Sequence, residues 1–209
     1  MATKMETYTG KLIDLSRPEP SDFCIEDIAW HLSHVSRFAG APRSDTTYSV
    51  AQHSVLVMNR VKQTASEVTK PLLLSALLHD AHEAYMGDVS RPMSNLLDLR
   101  YPIQRLKDRL QKAIWLGLLG DIREAGKQLP QYAGALISDA DNWALAYESY
   151  HLMHSAGKHY DHVEALDEEY ILRNLIVWQP RYAYESFKNY FEDLLPNSSK
   201  QKSTMSAVG

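Results

Sequence analysis

Residues 72–88 read LLLSALLHDAHEAYMGD, an apolar run that leads directly into a cluster of ionisable side chains. The apolar run predicts a buried helix. Pro71 suits the first turn of such a helix and Gly87 suits its end, so we expect one helix over residues 70–86. The ten residues 79–88 at its C-terminal end hold five His, Asp and Glu side chains.

The ionisable cluster favours a cation site. Glu83 follows His79 by four residues and Asp80 by three, so a continuous helix would place all three side chains on one face. Because an unpaired buried charge costs several kcal/mol, carboxylates at this position need compensation, and a divalent cation would supply it. The alternative is a helix end whose polar residues simply reach solvent.

The rest of the chain is predicted to be mainly α-helical. Amphipathic spacing predicts further helices over residues 25–35, 49–65, 95–119, 133–154 and 181–195. A short β-hairpin is expected over residues 7–15, where Gly10 supplies a turn residue. Length favours one domain over residues 1–196, at ~150 residues per domain. Residues 197–209 lack an apolar face and are expected to form a disordered tail.

Composition excludes several classes of protein. The chain has 209 residues and a formal charge of −4, from 22 basic and 26 acidic residues. This balance argues against a nucleic-acid partner or an acidic membrane surface. The longest apolar runs fall short of the ~18 residues that span a bilayer. The first ten residues contain no apolar signal segment, and the single cysteine, Cys24, fits a reducing compartment, so we expect a cytoplasmic protein.

Further ligand candidates lie outside the cluster. His53 lies among the apolar residues of its predicted helix, and Asp141 and Glu148 are seven residues apart on one face of another. Taken singly, each is more ordinary as a packed imidazole or a solvated carboxylate. Together with the cluster they supply imidazoles and carboxylates suited to one borderline divalent ion, such as Mn, Fe, Co, Ni or Zn.

The order His53 … His79-Asp80 … Asp141 resembles the H…HD…D pattern of the HD-domain metal-dependent phosphohydrolases. Four segments look like the small YfdR-like branch of this superfamily, which is related to the YfbR-type 5′-deoxynucleotidases. They are SRFAG at 36–40, YSVAQHS at 48–54, HDxxEAYxxD at 79–88 and the stretch 140–148. The likeness covers residues 8–195. It implies an HD-domain helical bundle and a metal held by His53, His79, Asp80 and Asp141.

One absence narrows this resemblance. HD enzymes with two metals generally place additional histidines between the HD pair and the last aspartate, but residues 83–140 contain none. A single divalent ion is therefore expected, and diiron redox chemistry is disfavoured.

Five further residues are candidates for catalysis or substrate binding, of which Glu83 and Asp88 are indicated by the resemblance and by their position. Glu83 and Asp88 would move protons to and from the attacking water and the leaving oxygen, without a division of roles between them. Arg37 would bind the phosphate with its guanidinium fork. Arg91 would reach a second phosphate or lie on the rim, and Phe38 would pack on the sugar or base. The ordinary alternatives are a surface arginine, a turn-capping Asp88 and a core Phe38.

The leading function is release of phosphate from small (deoxy)nucleotides, with 5′-monophosphates favoured. A deoxynucleoside triphosphate phosphohydrolase, acting for example on dATP, is the chief rival, and a (p)ppGpp hydrolase is weaker. A nucleotide-sensing, metal-binding module is the alternative without catalysis. The last predicted helix contains several tyrosines, Tyr182, Tyr184 and Tyr190. Because aromatic residues are enriched at protein interfaces, we expect a homo-oligomer.

Overall fold

The computed structural model describes residues 3–120 and 131–195. Within them the chain is mainly α-helical, with one two-stranded antiparallel sheet. The predicted fold class is therefore confirmed. The predicted disordered tail, residues 197–209, lies outside the described residues. No helix in the described ranges is both long and apolar enough to cross a bilayer.

The N-terminal hairpin forms as predicted, although its first strand begins earlier. Strand β1 (Lys4–Glu6) pairs with β2 (Leu12–Asp14), and Met5 lies opposite Ile13. Gly10 lies in the connection with φ of 82°, a left-handed conformation that glycine adopts without steric penalty. Ile13 is fully buried and anchors the hairpin to the helices.

Helices account for most of the described residues. They are α1 (Ile25–His34), α2 (Val50–Thr64), α3 (Lys70–Leu77), α4 (Glu83–Met86), α5 (Arg91–Ser94), α6 (Leu97–Leu119), α7 (Ala133–Leu152), α8 (Glu168–Leu172) and α9 (Pro180–Leu194). Short 3₁₀ turns form at Pro20–Asp22 and Val163–Ala165, and a turn with left-handed residues forms at Arg37–Gly40. Side chains cap two of the helices, because Ser49 accepts from the Gln52 amide and Thr69 from the Leu72 amide. Apart from the segment 70–86, the predicted helices are confirmed to within two residues at each end.

The expectation of one continuous helix over residues 70–86 is wrong. Helix α3 ends at Leu77, turns follow, and α4 begins at Glu83. The cause is a tertiary contact: Gln111 of α6 donates Nε2–H to the carbonyl of Leu78 at 2.6 Å and accepts the backbone N–H of His82 at 3.1 Å. These bonds satisfy backbone groups that a helix would have paired internally. The ionisable residues therefore lie on successive turns instead of one helix face.

Helix α2 lies at the centre of the bundle, where it contacts α1, α3, α7 and α9. Val50, Val57 and Val61 on this helix are fully buried, as are Leu72 and Leu77 on α3. Full burial of an aliphatic side chain is worth ~1.5–3 kcal/mol, so this packing fixes the axis of α2 firmly. His53, one turn into α2, is thereby held inside the bundle.

The aromatic residues of α9 are divided between the interior and the surface. Tyr184 packs its edge against Trp30, with 5.6 Å between ring centroids, whereas Tyr182 and Tyr190 are exposed. The homo-oligomer expected from this helix stays a prediction.

Candidate metal centre

Four side chains from three segments meet inside the bundle. His53 comes from α2, His79 and Asp80 from the turns after α3, and Asp141 from α7. His53 Nε2 lies 3.2 Å from Asp141 Oδ1 and 3.6 Å from Asp80 Oδ2, and His79 Nε2 lies 3.2 Å from Asp80 Oδ2. One ligand atom each from His53, His79 and Asp141 lies within 4.8 Å of the other two, so these three residues could hold a metal ion.

The two histidines present ring nitrogens that suit metal coordination. His53 Nδ1 donates to Glu148 Oε1 at 2.6 Å and His79 Nδ1 donates to the carbonyl of Ala76 at 2.8 Å, since both oxygens act as acceptors. When the ring is neutral, this arrangement leaves its lone pair on Nε2. Both Nε2 atoms are buried without a well-aligned hydrogen-bond partner, although carboxylate oxygens lie 3.2 Å away. An imidazole oriented through its other nitrogen is the usual form of a metal ligand.

The charges of this centre also fit a cation. Burial opposes ionisation of Asp80, but the adjacent His79 and His53 hold its pKa well below the usual range. Burial likewise opposes ionisation of Asp141, and His53 lowers its pKa. Burial disfavours a charged His79, yet the Asp80 carboxylate raises its pKa to about 9. Protons on the histidines thus balance the carboxylates, and a divalent ion would replace them.

Glu148 supports the metal centre from behind His53. The only sequence signal for this residue was its position on the same helix face as Asp141. Its carboxylate is fully buried on α7 and accepts from the His53 ring. It also accepts the hydroxyl of Tyr48 at 2.8 Å and Arg37 Nε at 3.1 Å. Burial would raise the pKa of Glu148, but Arg37 and His53 lower it. Glu148 therefore stays ionised and fixes the orientation of His53.

Arg37 lies beside the centre in a buried ion pair. Its Nη2 is 3.0 Å from Glu148 Oε2, in addition to the Nε hydrogen bond. Burial opposes the guanidinium charge, yet Glu148 raises the pKa of Arg37 above its ordinary value. Two of its three nitrogens are thus committed to Glu148. Its predicted contact with substrate phosphate stays a prediction.

The residues after Arg37 adopt an uncommon backbone conformation. Phe38 and Ala39 have φ values of 54° and 51°, and Gly40 continues with 80°. The left-handed region costs roughly 1–2 kcal/mol for a residue with a side chain, and such strain often occurs at functional sites. Phe38 is half-buried and packs its edge on Tyr160, with centroids 5.7 Å apart. Its predicted contact with a sugar or base stays a prediction.

Glu83 begins α4, and Asp88 follows the end of that helix. Glu83 is only 4% exposed, and its Oε2 is buried without a hydrogen-bond partner. Burial, together with the charges of Asp80 and Asp88, raises the pKa of Glu83 to about 9. Asp88 is half-buried just beyond α4. The structure brings Glu83 close to Asp80, as one ligand atom of each lies within 4.8 Å of the other.

Comparison with known proteins places this chain among relatives. No family model matches the sequence. The uncharacterized protein YfdR of Escherichia coli K12 is 31% identical over 190 residues, which cover 91% of this chain and 94% of that protein. The chain belongs to the YfdR family. An uncharacterized protein of Rhodobacter capsulatus, RCAP_rcc00048, is 39% identical over 108 residues, which span 52% of this chain and 54% of that relative.

In this YfdR-family chain, Arg91 lies at the rim of the centre. Its side chain is 56% exposed, and Nη2 donates to Asp141 Oδ2 at 3.2 Å and to Asn142 Oδ1 at 2.9 Å. An exposed ion pair of this kind contributes little to stability, typically ~0–1 kcal/mol. Arg91 can therefore leave Asp141 for another anion at small cost. Which of its two predicted roles it performs stays a prediction.

Proposed function

We propose that the chain is a metal-dependent phosphohydrolase of the HD superfamily that releases phosphate from (deoxy)nucleotides, with 5′-monophosphates as the preferred substrates. One observation carries the proposal. His53 and His79 present buried Nε2 atoms without hydrogen-bond partners next to Asp80 and Asp141, in the order that the HD pattern requires. Two neutral imidazoles and two carboxylates balance the charge of one divalent ion.

His53, His79, Asp80 and Asp141 would hold the ion. When bound, the ion supplies Lewis-acid polarisation of a phosphoryl oxygen and activation of water. The chain's own contribution is to keep the ligand atoms in place: Glu148 orients His53, and the carbonyl of Ala76 orients His79. Both contacts are made through Nδ1, so the Nε2 atom of each ring stays available to the ion.

Glu83 and Asp88 are the groups proposed to move protons. Glu83 has a raised pKa and carries a proton near neutral pH, so it is able to donate one. Asp88 follows α4 within Coulombic reach of Glu83. Together they provide groups that can take a proton from water and give one to the leaving ribose oxygen. Positioned acid–base groups contribute ~10²–10⁴ in rate.

Arg91 and Arg37 are the cations proposed for the substrate phosphate. Arg91 is exposed at the rim and bound only through weak contacts, so it can turn toward a phosphate without disturbing the fold. Arg37 is committed to Glu148 through Nε and Nη2, so a phosphate contact would use its remaining nitrogen, Nη1. The structure therefore favours Arg91 as the more adaptable contact.

The test is phosphate release from a panel of ribo- and deoxynucleoside mono- and triphosphates by protein loaded with Mn²⁺, Co²⁺ or Zn²⁺. We expect inorganic phosphate from 5′-monophosphates, and loss of both bound metal and turnover in His53→Asn. The exposed histidine His34, which contacts Trp30 outside the centre, provides the matched control His34→Asn. Release of tripolyphosphate from dATP would favour the rival triphosphohydrolase. Metal-loaded protein without turnover on any nucleotide would contradict the proposal and favour a nucleotide-sensing module.

A further inference from the structure

A second group of ligand atoms lies next to the centre just described. One ligand atom each from Asp80, His82 and Glu83 lies within 4.8 Å of the other two. These residues come from the turns between α3 and α4 and from the first residue of α4. Asp80 also borders the first group, because its Oδ2 lies 3.6 Å from His53 Nε2 and 3.2 Å from His79 Nε2.

His82 has the same arrangement as the two histidines of the first centre. Gln111 donates Nε2–H to the carbonyl of Leu78, which leaves its Oε1 as the acceptor for His82 Nδ1 at 3.0 Å. The lone pair of the His82 ring is therefore on Nε2. That atom is buried without a hydrogen-bond partner, and the residue is only 5% exposed. A buried imidazole nitrogen held in this way is oriented for coordination.

Glu83 supplies a second buried atom of the same kind. Its Oε2 has no hydrogen-bond partner although the residue is almost completely enclosed. Leaving a buried polar atom unsatisfied typically costs ~1–3 kcal/mol. The two atoms belong to adjacent residues that each offer a ligand atom within 4.8 Å of one on Asp80, and a divalent cation would satisfy both by accepting the nitrogen lone pair and the carboxylate oxygen.

We propose that Asp80, His82 and Glu83 hold a second divalent cation beside the first, with Asp80 shared between the two ions. One imidazole and two carboxylates suit Mn²⁺ and comparable borderline ions. The inference rests on the proposed function in that the first ion, held by His53, His79 and Asp141, also uses Asp80 as a ligand. It refines that function, because Glu83 becomes a ligand and Asp88 is left as the group for proton transfer. Two adjacent ions are a common device for phosphoryl transfer.

The position of His82 shows why the sequence pattern predicted a single ion and missed the second site. The expectation rested on the absence of histidine in residues 83–140. His82 lies immediately before that stretch, and the break between α3 and α4 turns it toward Asp80 and Glu83. A continuous helix would have separated these adjacent side chains by about 100° around its axis.

The experiment is titration of the metal-free full chain with Mn²⁺ by calorimetry, combined with electron paramagnetic resonance. We expect two Mn²⁺ per chain, with the spin-coupled signal of a pair that shares a carboxylate. His82→Asn and the isosteric Glu83→Gln should each bind one Mn²⁺ and lose the coupled signal. Asp80→Asn should weaken both sites. The control His34→Asn should bind two, and thermal unfolding should show that every variant is folded.

The outcomes separate this inference from the proposed function. A wild-type chain that binds one Mn²⁺ overturns the second site and leaves the single-ion phosphohydrolase intact. Two ions retained in both His82→Asn and Glu83→Gln also overturn it, because the second ion would then lie elsewhere. A chain that binds no ion contradicts the proposed function itself.

Discussion

Replacing Glu148 by alanine removes one carboxylate that three segments share. In the structure it neutralises Arg37, accepts the Tyr48 hydroxyl and holds the His53 ring, all with the side chains buried. Breaking a buried ion pair from one side costs about 3–5 kcal/mol, because the remaining charge is left unpaired. For a chain of this length each kcal/mol shifts Tm by about 2–4 °C, so we expect Glu148→Ala to lower Tm by about 6–20 °C.

Thermal unfolding followed by circular dichroism measures this effect, with Glu185→Ala as the matched control. Glu185 is an exposed carboxylate that pairs with Arg181, so its loss should change stability by less than about 1 kcal/mol. The double variant Arg37→Met/Glu148→Ala should be more stable than Glu148→Ala alone, since it removes the stranded charge. A Tm for Glu148→Ala equal to that of the control would refute the reasoning, as would a double variant no more stable than the single one.

Three further predictions concern the metal centre, the thiol of Cys24 and the backbone at Ala39. Removing the proposed ion from metal-loaded protein with EDTA should lower Tm by about 5–11 °C, because an ion at one hundred times its Kd adds about 2.7 kcal/mol; an unchanged Tm that added metal does not raise would contradict the metal centre. Burial, reinforced by Asp27 at 3.3 Å, raises the pKa of the Cys24 thiol to about 11. Since only the thiolate reacts, alkylation at pH 8 should be roughly a hundredfold slower than for an ordinary cysteine and should accelerate up to about pH 11; the ordinary rate at pH 8 would contradict this. Ala39→Gly should stabilise the fold by up to about 1 kcal/mol in denaturant unfolding, because glycine removes the left-handed strain at φ of 51°; a loss of stability would show that the alanine methyl group makes a contact worth more than the strain.

The helices were predictable because their signals are local. Apolar residues at helical spacing locate α2 and α7, and the predicted starts at residues 49 and 70 lie within one residue of the helix starts that Ser49 and Thr69 cap. The hairpin followed from one turn residue, Gly10, between apolar positions. The meeting of His53 with Asp141 was expected from the resemblance, since no local spacing connects residues this far apart in sequence.

What the sequence could not reveal depends on contacts between distant residues. The helix over 70–86 was predicted from its apolar run, but Gln111, contributed by α6, supplies the hydrogen bonds that end α3 and orient His82. Arg37 was predicted to bind phosphate because a guanidinium suits that ligand, whereas Glu148, more than a hundred residues later, takes up two of its nitrogens. Periodicity within a helix carries no information on either pairing.

These pairings arrange the charges around His53 with alternating sign. Arg37 is followed by Glu148, then by the His53 ring, and then by the Asp141 carboxylate. Burial and the Arg37 charge lower the pKa of His53, yet Glu148 and Asp141 together raise it above its ordinary value. A more basic ring is a stronger ligand once its proton is displaced, and losing an outer partner of this kind typically weakens metal affinity ~10–100-fold. The ion pair that stabilises the bundle and the orientation of the metal ligand therefore depend on the same carboxylate, so Glu148→Ala should reduce metal affinity and stability together.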